Sequence, residues 1–142
     1  MTQAVTLALA ASGLFLLAGL VGGVLKYHGI MTRPGHRAHP YIDIAHRAAL
    51  MYSFTALVMA ALLKYSPYSA TVQVWITAVP LFFFATAIAR YFQLGIQGRE
   101  KNQFKQRNLI TTWGMALLIV GEVGGVAAIV WGFFRSQVLG GV

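Results

Sequence analysis

The chain has 142 residues, 58% of them hydrophobic and 10% charged, with a mean hydropathy of +0.67. Soluble domains carry roughly 25% charged residues, so a globule of this composition would lack the polar side chains to coat itself, and the sequence reads as an integral membrane protein with nothing left for a separate soluble domain. Cysteine is absent, which excludes disulfides, thiolate metal sites, thiol nucleophiles and covalent c-type haem, so any haem would be held non-covalently. The formal charge of +8 does not indicate nucleic acid, because the basic residues flank apolar segments and form no stripe on a polar face.

A spanning helix needs about 20 apolar residues, and four segments have that length: Ala4–Tyr27, Ile44–Leu63, Thr71–Leu94 and Leu109–Phe134. The first has no Lys or Arg before Lys26 and a long apolar stretch, the wrong shape for a cleaved signal peptide, so it is expected to remain in the mature protein. Next comes Arg33-Pro-Gly-His36-Arg37-Ala-His39-Pro40, whose prolines and glycine argue against a continuous helix and suggest a loop folded back over the membrane surface. After the second span, the short turn Lys64-Tyr-Ser-Pro-Tyr-Ser69 makes the second and third spans antiparallel neighbours. The first and fourth spans share a pattern, Gly19-Leu-Val-Gly-Gly-Val24 and Gly121-Glu-Val-Gly-Gly-Val126, with glycines four apart on what should be packing faces. No segment shows the two-residue alternation of a barrel strand. The expectation is an all-α protein: one domain over 1–142, with four transmembrane helices in an antiparallel bundle.

Orientation follows from the eleven basic residues. Lys26, Arg33, Arg37 and Arg47 surround the first loop and Arg90, Arg99, Lys101, Lys105 and Arg107 the third, leaving Lys64 and Arg135 at the opposite side. The positive-inside rule places the first and third loops in the cytoplasm and both termini outside. A bacterial inner membrane is the expected location.

All four histidines lie in or beside the first loop. His28 and His36 read as solvated or headgroup-contacting residues, and His39 is left open. His46 differs because it opens an apolar helix, Ala45-His-Arg-Ala-Ala-Leu-Met51. It is either an interfacial histidine bonded to Asp43 or to lipid phosphate, or a ligand, since neutral imidazole suits haem iron and an apolar pocket between helices suits the porphyrin. Arg47, Arg90 and Arg37 fall at the same membrane level and could meet the propionates. Tyr91, near the inner end of the third span, should reach the depth of His46, although Arg90-Tyr91 is also an ordinary interface anchor. Glu122 is the one acidic residue well inside a span. A charge at the centre costs about 2.5–3.5 kcal/mol on insertion scales, so this carboxyl should face another helix, be protonated or line a wet cavity. Its glycine neighbours would let a partner helix approach and donate a hydrogen bond.

The stretch from Ala45 to Met51 resembles the second span of styrene oxide isomerases and hydroxylaminobenzene mutases, small four-span membrane proteins with an Ala-His or Ser-His pair there, and Gly13-Leu-Phe-Leu-Leu-Ala-Gly19 is similar to the mutases' first span. The resemblance implies haem b ligated by His46 at the interface between protomers of a homotrimer. It also brings a family tyrosine to Tyr91, and Asn102-Gln-Phe104 resembles a segment before the isomerases' last span. Six residues beyond the histidine those families have Asn, where this chain has Tyr52. An alternative register on Arg37-Ala-His39 loses the Leu-Met match and Tyr91 and keeps His39 in reserve.

The function this implies is isomerisation of a small apolar epoxide to a carbonyl, with haem iron as Lewis acid. His46 would be the metal ligand, Arg47 and Arg90 would help bind the cofactor, and Tyr91 and Tyr52 would orient the oxygen or the developing cation. Two other classes stay open. Arg37-Ala-His39 and Arg90-Tyr-Phe-Gln93 resemble fragments of the membrane-associated eicosanoid and glutathione metabolism family, which implies a glutathione-dependent transferase, but that family's Asn and Glu are here Tyr41 and Ile44. The third class is a non-catalytic small subunit of a larger membrane complex.

Overall fold

The computed structural model describes residues 1–98 and 110–140, which are helical with no strand among them. Helix α1 covers Gln3–Thr32, α2 Pro40–Leu63, α3 Ala70–Gln97 and α4 Met115–Phe133, with π-helical segments Ile110–Gly114 and Phe134–Val138 at the ends of α4. Among the described residues four helices are long and apolar enough to cross a membrane, the last as the stretch Thr112–Val138. The protein is therefore an all-α integral membrane protein. Arg99, Lys101, Lys105 and Arg107 of the orientation argument, the Asn102-Gln-Phe104 segment and the expected start of the fourth span at Leu109 lie outside the described residues.

Local chemistry moves the helix ends from where apolar length alone puts them. α2 begins at Pro40, four residues before Ile44, because proline suits a first helical position and the His39 ring caps the end, Nδ1 accepting from the Tyr41 N–H at 3.3 Å. α1 runs past Tyr27 to Thr32, where the Arg33 N–H still reaches the Gly29 carbonyl. α3 stops at Gly98, whose φ of 64° is the left-handed conformation glycine adopts freely, and its N–H closes on the Leu94 carbonyl at 3.1 Å.

The glycine faces pack as expected. A Cβ at Gly22 would lie 3.0 Å from the His46 Cα, one at Gly19 would run into Leu50, and one at Gly29 would touch Ala38. On α4, a Cβ at Gly121 would strike the Phe83 ring and one at Gly125 would lie 2.8 Å from the Ile76 carbonyl oxygen. Gly124 meets nothing within 4 Å, so in α4 only part of the glycine pattern is a contact face. Gly95 of α3 lies against Ile42 of α2, and Phe84 stacks on Tyr52 with centroids 4.2 Å apart. Between the helices, Ala49, Ala56, Met59, Phe84, Ile88 and Ile129 are buried, while Leu14, Leu17 and Val21 of α1 and Leu117, Val120 and Val123 of α4 face outward as a surface for lipid.

Candidate functional site

His46 lies on the side of α2 that meets α1. Its Nδ1 is 2.7 Å from the carbonyl oxygen of Gly19. A carbonyl can only accept, so Nδ1 carries the proton, and a neutral ring then presents its lone pair at Nε2. Gly22 and Gly23 let the ring come this close to α1; a Cβ on Gly23 would lie 3.2 Å from His46 Cε1. The alternative partner, Asp43, is engaged elsewhere: its carboxylate accepts from Lys26 of α1 and, at 2.9 Å, from Arg47. Further along the same face the Ser12 hydroxyl donates to the Ser53 carbonyl at 2.9 Å.

The remaining histidines have other settings. His39, held in reserve as a ligand, is 6% exposed and serves as the α2 cap. His28 and His36 are exposed, with His36 in a left-handed conformation at φ 47°. The arginines do not converge on one partner. Arg37 is exposed, Arg47 is 68% exposed and bound to Asp43, and Arg90 donates from Nη1 to Gln93 Oε1 at 2.9 Å. The Arg90 Nε is buried without a partner among the described residues.

Tyr52 and Tyr91 belong to a different face. Six residues at 100° per residue carry Tyr52 about 120° around α2 from His46, toward α3 and α4, where its ring lies on Phe84. Tyr91 does reach the depth of His46, since Gly95 is opposite Ile42 and Phe84 opposite Tyr52. Its ring, however, stacks on Tyr41 at 6.2 Å, and Tyr41 in turn lies 6.0 Å from His39. Glu122 is within electrostatic range of both Tyr52 and Tyr91. The structure thus gathers Tyr41, Tyr52, Tyr91 and Glu122, and sets His46 apart from them. The sequence marked Tyr41 only as a departure from the glutathione family's asparagine; its spacing of eleven residues from Tyr52, three helical turns, is the signal that places both on one face. No group of three or more His, Asp or Glu suited to a metal ion occurs among the described residues.

Comparison with known protein families, curated proteins and solved structures found no match for this chain.

Proposed function

We propose that the chain is a membrane-embedded haem b protein of the styrene oxide isomerase kind, with His46 as iron ligand and a small apolar epoxide as substrate. The observation that carries this reading is the His46–Gly19 hydrogen bond. A ligating histidine commonly donates its other ring N–H to a carbonyl, which fixes the tautomer and strengthens the ligand, and His46 meets that requirement in a half-buried position. When bound, haem would supply a Lewis-acidic iron for an epoxide oxygen on the way to a carbonyl product. Arg47, at the inner end of the same helix, has its guanidinium in the open to meet a propionate, and Arg90 has an unpartnered Nε. Tyr91 and Tyr52 are assigned to orienting substrate oxygen, which requires the substrate to reach the α3 side of α2.

The test is the absorption spectrum of the detergent-purified protein. Stoichiometric haem with a Soret band is expected; His46→Ala should lose haem or strongly alter the spectrum, whereas His39→Ala should leave the spectrum in place. Tyr91→Phe should keep haem and lower isomerase turnover, since it removes only a hydroxyl. Wild-type protein without haem, or a His46→Ala variant with the wild-type spectrum, removes the reading.

The same proposal places an antiparallel bundle with both termini outside, as a homotrimer in a bacterial inner membrane. A cysteine introduced at Ser69 should react with an impermeant thiol reagent in intact cells and one at Arg37 should not; the reverse pattern inverts the orientation.

A further inference from the structure

Helix α4 has two sides of opposite character. Gly121 lies against the Phe83 ring, Gly125 against Pro80 and the Ile76 carbonyl, and Gly132 against Tyr68 and Pro67 of the turn between α2 and α3, so one side is taken up by α3 and that turn. On the other side Trp113, Leu117, Val120, Gly124, Ala127 and Trp131 follow at steps of three or four residues, the spacing of a single helix face, and every one of them is exposed. A Cβ on Gly124 would meet nothing within 4 Å. Between the two indoles the stripe carries no charged or hydrogen-bonding side chain.

The indoles set its length. Trp113 and Trp131 are 68% and 57% exposed. They stand eighteen residues apart, five turns of α-helix, and so return to nearly the same side of α4 about 27 Å apart. The hydrocarbon core of a bilayer is about 30 Å thick, and tryptophan concentrates at its two boundaries, where the ring meets acyl chains and the N–H meets the headgroup region. One turn beyond Trp131, Arg135 is exposed on the same side, placed for its guanidinium to reach lipid phosphate. Aliphatic residues, then an indole, then a cation reproduce the order of layers from the core of a phospholipid leaflet to its surface. A second copy of the chain fits this side less well. Membrane helices approach one another through small residues, and three glycines of α4 are already against α3 and the turn, while Gly124 and Ala127 lie between the bulkier Trp113, Leu117, Val120 and Trp131.

We propose that this stripe is docked to phospholipid, with Trp113 at one hydrocarbon boundary and Trp131 at the other, so that α4 lies at the outer rim of any assembly the chain forms. The two indoles fix the depth of the chain in the bilayer, and Val120 falls within the hydrocarbon between them. The placement is independent of haem and of His46.

The experiment reconstitutes the full-length protein in phosphatidylcholine vesicles whose acyl chains carry bromine, which quenches indole fluorescence on contact, either near the carbonyl end or near the methyl end. Trp75 of α3, the third tryptophan of the chain, is replaced (Trp75→Phe), and Trp131→Phe or Trp113→Phe then leaves one α4 indole at a time. Each intensity is divided by that of the same variant in unbrominated lipid, which cancels quenching by any haem present. Both α4 indoles should lose intensity severalfold with bromine near the carbonyls and much less with bromine near the methyl ends. With all three tryptophans replaced by Phe, Val120→Trp should show the reverse order. Intensity that neither lipid lowers means that protein covers the stripe, a second copy or another chain, and overturns the proposal. Stronger quenching of Trp113 or Trp131 by bromine near the methyl ends, or of the Val120→Trp indole by bromine near the carbonyls, overturns the assigned depths.

Discussion

The two faces of α2 solve the same problem, polar side chains inside an apolar bundle, with different partners. Toward α1 the acceptors are backbone carbonyls: Gly19 O takes the His46 N–H, and Ser53 O takes the Ser12 hydroxyl. Toward α3 and α4 the partners are side chains, with Tyr52 stacked on Phe84 and Tyr41 on Tyr91. Glycine accounts for the difference. α1 presents Gly19, Gly22 and Gly23 beside His46, so its main chain comes within reach of the ring; α3 comes as close only at Gly95 on Ile42 and meets Tyr52 and Tyr41 with the rings of Phe84 and Tyr91. A backbone carbonyl neither rotates nor titrates, so the His46 face fixes one tautomer.

If the faces are independent, breaking one should spare the other. The largest effects are expected from Gly22→Leu and Gly125→Leu, because the added side chains meet the His46 main chain in one case and Pro80 and the Ile76 carbonyl in the other. Overpacking of this kind costs about 1–3 kcal/mol, at times more. Gly22→Leu should lower haem content with isomerase turnover per haem intact. Gly125→Leu should lower turnover per haem with haem content intact. Gly124→Leu, with open space around it, should match wild type in thermal stability and in both readouts. A variant that disturbs both readouts while still folded would show that α2 couples its two faces.

How far the sequence revealed this arrangement depended on the range of the interaction. Four spans were legible because apolar length is a property of each segment alone, and the Gly19, Gly23, Gly121 and Gly125 spacing marked faces that do pack. The start of α2 was missed by four residues, although the His39-Pro40 cap that sets it is local, because these residues read as loop. His46 stood out by position, but its partner did not: Gly19 O belongs to a backbone that the sequence marks only as a packing surface. Tyr52 and Glu122 were each singled out, but not as neighbours. Their proximity depends on how α2 is rotated relative to α4, which no single helix pattern contains.

The smallest effect sharpens the comparison most, because it tests which group orients the His46 ring. Asp43, one turn before His46, joins α1 to α2 by accepting from Lys26 and Arg47. With side-chain exposures of 31% for Asp43 and 68% for Arg47, this is an interfacial ion pair of the kind that contributes about 0.2–1 kcal/mol. Asp43→Asn keeps the shape and leaves two cations without a countercharge. The variant should lose at most about 1 kcal/mol of stability, read as a lower thermal midpoint that recovers in part at high salt because the remaining repulsion is screened. Haem content should stay at the wild-type level, since the His46 N–H is directed by Gly19 O and not by the carboxylate. If Asp43→Asn instead removed haem as fully as Gly22→Leu, the carboxylate would be the group that orients the imidazole, and the distinction between a face held by backbone and a face held by side chains would fail.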